Sequence, residues 1–536
     1  MKRTTLSLIA CATALAAVTG FAAVSAPADS GTDTAAPAAR LPVERTSLLC
    51  PAPSTSDLAE TAYTSFTPVT KGTDEKGGAS LTPAGQGTAA QDAEDEKKTD
   101  GKDDGKDDGK SGDKDGDKDG DKDGDKTDGK DGSKDDGKSA KPAVQPKAPG
   151  TPAAGKVSGA DAPALLGVAE GSHAPGWTVQ QTTEVAAGTG RGLQGVNCAV
   201  PDTEFWFPGA STASGRTDYV HLTNPDDSAA VVDIELYGKD GALKSTVGEG
   251  VTVPPHSSES LLLSTLSDVE QTDLTVHVGV RSGRVGAAVQ ALDDKTGGDW
   301  LTTAAAPASE LVLPGIPKDA TGVRLVLFTP GGADADLKVR LASPSGLITP
   351  AGHETVHVKA GMTTGVDLGE VTRGEAGSLV LTPTGRSVPV VAAVRVVRGK
   401  GDEQESAFIP ASDPVGARAT SADNRAKSTT LALSAPGEAA EVKVTASAGT
   451  EGGTTATKTY TVKAGTTQNV DAPVPAGLKG AYALTVETVS GGAVYASRTL
   501  TGSDDDVSSF TVQTLPDDRG TVSVPNADED LSVLQK

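Results

Sequence analysis

The chain has 536 residues, of which 36% are hydrophobic and only 3% aromatic, and it carries a formal net charge of −24. That length suggests three or four domains. The acidic balance argues against nucleic-acid phosphates and anionic membrane surfaces as partners, because like charges repel.

Lys2 and Arg3 precede an apolar run from Leu6 to Val24, and Val24-Ser25-Ala26 offers small residues for cleavage. This is the layout of an export signal, placed at residues 1–26. Cys11 sits too early in the run to be a lipoprotein cysteine, since apolar residues continue beyond it. The run is nearly long enough to stay in a bilayer. The expected location is therefore secreted or extracytoplasmic, with retention by an uncleaved N-terminal anchor as the variant. No other segment has the length and apolarity to span a membrane.

A first unit is expected over 41–199. It opens with Ser47-Leu48-Leu49-Cys50-Pro51, an apolar run closing on proline. From Gly101 to Lys138 the chain holds 15 Asp, 10 Lys, 10 Gly and three Ser or Thr, with nothing apolar. Nothing there can be buried to offset the entropy of ordering, so a disordered insertion is expected, widened by polar flanks to 71–155. Beyond it, Leu166–Gly171 and Trp177–Gln180 resemble Val278–Gly283 and Ala287–Gln290, which close a unit rather than open one. An insertion within a domain is thus preferred to a linker between domains. Beyond the signal only Cys50 and Cys198 remain, one on each side of the tract. In an oxidising compartment they are expected to form a disulfide, with two free thiols as the alternative.

Three further units follow, at 200–306, 307–405 and 406–515, with a polar tail at 516–536. Each opens on an apolar run ending in proline: Phe205-Trp206-Phe207-Pro208, Leu311-Val312-Leu313-Pro314 and Phe408-Ile409-Pro410. Alternating strands then recur, and Val253, Val358 and Val462 mark one step at intervals of about 105 residues, a repeat signature. Val232, Ile234 and Leu236 alternate with Asp233 and Glu235, the pattern of an antiparallel sheet with one face buried. About seven short strands per unit predict an all-β fold of tandem immunoglobulin-like β-sandwich repeats, the first interrupted by the long insertion.

Motifs with chemical potential are few. His353-Glu354-Thr355-Val356-His357 matches the zinc-protease pattern HExxH, which functions only on a helix. Here Val356 and Val358 follow a strand period, and the histidines of a strand would lie about 13 Å apart. The alternating aspartates of Asp113–Asp125 are similar to calcium loops, but Lys126 stands where a bidentate glutamate belongs. Trp177, Trp206 and Trp300 are candidates for stacking on sugar rings, against an equally ordinary structural role. His173, His221, His256 and His277 are scattered. No catalytic residue, metal site or cofactor is expected.

The export signal, Leu41-Pro42-Val43-Glu44-Arg45, Ser47-Leu48-Leu49-Cys50-Pro51, His221-Leu222-Thr223-Asn224-Pro225 and Leu515-Pro516-Asp517-Asp518-Arg519-Gly520 together resemble a family of exported actinobacterial proteins classed as a domain of unknown function. The resemblance covers most of the chain outside the charged tract. It implies export and a Gram-positive envelope, and brings no site residues. The expected function is a non-enzymatic secreted or envelope protein, a structural or protein-docking array for an unidentified envelope or extracellular protein. The alternative is an accessory binding module for carbohydrate or for an envelope enzyme, with loops at the sandwich ends as the site. Oligomeric state is not fixed by the sequence.

Overall fold

Period-two sequence gives period-two burial. Val232, Ile234 and Leu236 are buried along Ala230–Gly238, and Leu337, Val339 and Leu341 along Ala335–Ser343, with charged residues between them. A strand of this kind holds only if its apolar face is covered. A computed structural model describes residues 39–73, 76–86, 142–245, 247–502 and 509–524, and in it nearly all regular structure is β. Two units are distinguished. In Met1–Pro42 with Thr521–Lys536, the described residues form an antiparallel ribbon of Ala39–Pro42 and Thr521–Val524, so part of the polar tail is a strand. The other unit, Val43–Gly520, consists of sheets packed in pairs.

In the first pair, Arg45–Cys50, Leu165–Gly171 and Gly77–Pro83 form one sheet, and Ala153–Ser158, Ala59–Phe66, Thr178–Val185 and Gly192–Asn197 the other. The second sets Glu204–Ala210, Leu274–Ser282 and Ala230–Gly238 against Gly297–Leu301, Gly286–Asp293, Arg216–Thr223 and Ser257–Leu262. The third sets Leu311–Ile316, Gly377–Pro383 and Ala335–Ser343 against Thr363–Asp367, Ala320–Phe328, Val391–Arg398 and Glu405–Pro410. The fourth sets Arg418–Asn424, Tyr482–Gly491 and Ala440–Gly449 against Thr466–Val470, Thr429–Ala435, Tyr495–Thr501 and Phe510–Thr514. Short strands extend the first-named sheet of the later pairs. A core lies between the two sheets of each pair, as where Ile234 and Val276 meet Val220 and Val289.

Two expectations need correction. Phe408-Ile409-Pro410 does not open the fourth unit. It lies in Glu405–Pro410, hydrogen-bonded to Val391–Arg398, and is the last strand of the third pair, so that pair runs past 405. This strand is buried on both faces, and therefore reads as a continuous apolar run like a first strand. The stretch 71–155 is ordered at both ends. Gly77–Pro83 pairs with Leu165–Gly171, Ala143 and Val144 bond to Leu81, and Ala153–Ser158 pairs with Ala59–Phe66. Ala79 and Leu81 alone supply the apolar face of Gly77–Pro83, too little to stand out in the sequence. Residues 87–141, with the Asp/Lys/Gly tract, and the 1–26 signal lie outside the described residues.

The pairs are joined head to tail. The opening strand of each packs on the next pair: Arg45–Cys50 on Gly286–Asp293, Glu204–Ala210 on Val391–Arg398, and Leu311–Ile316 on Tyr495–Thr501. Arg418–Asn424 then packs on Thr178–Val185, returning the series to the first pair. Inside this circuit the four closing strands, Gly192–Asn197, Gly297–Leu301, Glu405–Pro410 and Phe510–Thr514, each pack against two of the others. A heterologous contact that returns to its start leaves no uncovered end.

Cys50 and Cys198 are joined by a disulfide across 148 positions, buried with Tyr63, Trp177 and Val179 in the core of the first pair. In the chain-entropy view a loop of that length contributes at most about 5 kcal/mol. Thiol labelling of the denatured, unreduced protein is expected to find no free cysteine. Cys198→Ser is expected to lower the thermal transition; an unchanged transition would show that the circuit holds the first pair without the bridge.

Candidate functional site

The closing junction, where the fourth pair meets the first, holds a cluster of buried polar side chains. Its origin is a bulge. The opening strands of the second, third and fourth pairs each slip register near their ends, at Pro208/Ala210, Leu313/Ile316 and Ser421/Asn424. A bulge bends a strand and frees backbone N–H groups from the ladder. In the third pair Gly315, at φ +83°, lets the bulge press on Ser497 and Ala432 of the fourth, where any Cβ would collide with Ser497 Oγ.

At the fourth bulge the freed N–H groups of Ala422 and Asp423 both donate to Gln180 Oε1 of the first pair, at 2.9 Å. Arg498 Nη2 donates to the same oxygen at 3.1 Å. Gln180 Nε2 donates to Asn197 Oδ1, Asn197 Nδ2 to Thr514 O, and Thr182 Oγ1 to Asp423 Oδ2. Arg498 is fully buried, and desolvation pulls its guanidinium down to about 10, against the nearby carboxylates of Asp423 and Asp299. Asp299 is equally buried, and burial raises its carboxyl well above the usual range. Its Oδ1 accepts Gly195 N at 2.9 Å and Thr511 Oγ1 at 3.1 Å, tying the second pair to the first and fourth.

Beside this hub lies a clasp made by Leu515–Gly520, the ending noted as a motif in the sequence. Arg418 Nε donates to Asp518 Oδ2 at 2.5 Å, and its Nη1 and Nη2 reach Thr70 Oγ1 and Pro175 O of the first pair. Asp517 Oδ2 accepts Ala417 N, Asp518 Oδ1 accepts Gly520 N, and Gly520 O accepts Val43 N. Gly176, at φ +75°, makes room, since a Cβ there would collide with both Asp518 and Arg418. Burial raises the Asp518 carboxyl despite the adjacent guanidinium.

The residues singled out by sequence fall elsewhere. Thr355–Val358 is a strand, with Val356 and Val358 buried and His357 Nδ1 2.8 Å from Asp336 Oδ1 on the neighbouring strand. His353 precedes it in a turn, and Glu354 Oε1 accepts Gly352 N. Among the described residues no three His, Cys, Asp or Glu side chains are grouped to hold a metal ion. Asp113–Asp125 lies outside the described residues. The tryptophans are covered, at 3%, 6% and 2% exposure for Trp177, Trp206 and Trp300. Trp206 stacks on His277 and on Phe328 of the third pair, and Trp300 packs with Val196 of the first. Trp206 and Trp300 fill junctions and Trp177 the first core, and none offers a free face to a sugar. His173 and His221 are buried, and His256 pairs with Asp227.

Two outcomes are expected. Arg418→Ala leaves Asp518 buried without its cation, for which a loss of about 3–5 kcal/mol in denaturant unfolding is anticipated. Glu405 gives a pH dependence. It is buried where Glu405–Pro410 meets Phe510 N, and burial pushes its carboxyl from 4.5 up to about 7, against the Phe510 hydrogen bond and the positive fields of Arg191 and Arg398. Between those values the folded chain holds a proton that the unfolded chain has released. This group's contribution is complete below about 4.5 and lost as pH rises through about 7. Relative to Glu405→Gln, the wild type should therefore gain stability as pH falls from 8 to 5; parallel stability profiles would refute that assignment.

The profile of a family of unknown function (DUF5719) matches residues 153–473. No curated protein and no solved structure matches the chain. The matched span runs from Ala153–Ser158 of the first pair, through the whole second and third pairs, to Thr466–Val470 of the fourth. With about three-fifths of its residues matched, the chain belongs to this family of unknown function.

Proposed function

We propose that the protein is a non-enzymatic extracytoplasmic scaffold, built of four immunoglobulin-like sandwiches, that docks other envelope or extracellular proteins on its outward loops. The closed circuit is the observation that carries this reading. The hydrogen-bonding capacity of Gln180, Asn197, Asp299 and Arg418 is directed across junctions between sheet pairs, where it fixes their register. Chemistry of that kind supports a rigid carrier, with specificity left to loops. The buried disulfide suits an oxidising compartment, and among the described residues no helix is long and apolar enough to cross a membrane.

The carbohydrate alternative has less to rest on, because the three tryptophans that suggested it are covered at junctions and in the first core. Immobilised protein is expected to retain a reproducible set of proteins from an envelope extract and nothing from a glycan panel. Retention of one glycan class with no protein captured would reverse the choice.

A further inference from the structure

We propose that a groove at the closing junction binds a zwitterion, an amino acid or short peptide presenting an ammonium and a carboxylate together. The groove encloses about 320 Å³ between the outer face of the first pair and Arg425, which follows the opening strand of the fourth. It lies where the first pair has smaller side chains than the other three. In the third pair Arg324 stands four residues before the end of Ala320–Phe328, and its guanidinium closes on Asp273 of the second pair, sealing that junction. Ala62 occupies the same step of Ala59–Phe66, and Thr182 stands opposite it where Arg395 stands opposite Arg324. The second pair has Tyr219 and Gln290 at this step and the fourth Leu431 and Arg498, so the first pair alone has two small residues there, and the rim stays open.

The open rim carries charge of both signs in separate places. Glu60 and Glu184 face each other in register on neighbouring strands, a like-charge pair that is unfavourable without a counter-ion. Lys156 lies beside Ala62 on the edge strand, and Arg425 borders the groove. Among the described residues none of these four makes an ion pair within 4.0 Å. An ammonium between the two glutamates and a carboxylate against Lys156 and Arg425 would satisfy all of them at once, and neither charge alone would do so. The volume suits a group of one or two residues.

The inference stands apart from the docking reading, because it is tested on purified full-length protein with small probes. Calorimetric titration would compare glycylglycine with its N-acetyl form, which lacks the ammonium, and its C-terminal amide, which lacks the carboxylate. Saturable binding of glycylglycine is expected, with each blocked form weaker by about tenfold or more. Glu60→Gln with Glu184→Gln, and separately Lys156→Met with Arg425→Met, should each reduce glycylglycine binding to the level of the corresponding blocked probe. All four side chains border open space, so an unchanged thermal transition provides the folding control. No saturable binding to the wild type, or binding by both double variants equal to that of the wild type, overturns the proposal.

Discussion

A chain of sandwiches joined head to tail has a geometric problem at its ends. Each junction spends the opening strand of one pair on the sheet face of the next, so a linear series leaves one strand and one face uncovered. Here Arg418–Asn424 meets Thr178–Val185, and neither remains. The rest of the unit depends on that contact. With it in place, the closing strands of all four pairs become interior elements with both faces covered, as the burial of every residue in Gly297–Leu301, Glu405–Pro410 and Phe510–Thr514 records. Interior edge strands also present no free ladder to other chains.

The junctions are not chemically alike. Between the second and third pairs an apolar cluster of Trp206, Phe328 and Val391 stands beside the Arg395–Asp293 and Arg324–Asp273 ion pairs, and Phe510 and Val512 of the fourth enter the core of the third. The closing junction has a smaller apolar part, Phe66 with Ala422 and Ala483, and relies on Gln180, Arg498 and the Arg418–Asp518 clasp. Apolar contact is non-directional and suits neighbours that a short linker already holds in register. The closing partners are more than two hundred residues apart in sequence, as from Gln180 to Ala422. Hydrogen bonds admit one register there and penalise others through buried unsatisfied groups, which is how a buried polar network adds specificity more than stability. The incomplete satisfaction of Arg498, whose Nε and Nη1 have no protein partner among the described residues, fits that division.

Much of the architecture is legible in the sequence and little of the site. Alternation such as Val232-Asp233-Ile234-Glu235-Leu236 identifies one-face-buried strands without further help. It fails on strands buried on both faces, which is why Phe408–Pro410 reads as an opening strand, and on strands with two small apolar residues, such as Gly77–Pro83. Gln180, Asn197, Asp299 and Arg498 carry no signal at all. A polar residue in a strand reads as solvent-facing, and only the return of the fourth pair to the first turns these inward. Leu515–Gly520 is visible as a motif, yet its aspartates read as a polar tail because their partners, Arg418 and the Ala417 N–H, lie about a hundred positions away.

The groove lies at the closing junction. Arg324 and Asp273 seal the rim between the second and third pairs with an ion pair that spans the two. At the closing junction Arg418 of the opening strand pairs with Asp518 at the end of the same fourth pair, and its guanidinium also reaches two acceptors on the first pair. A second buried ion pair at the rim would carry another desolvation penalty for register already fixed by the clasp and by Gln180. Ala62 and Thr182 avoid that penalty. Their small volume leaves a charged, accessible groove at a junction also held by the clasp and by Gln180, so a binding surface can persist there without loosening the circuit.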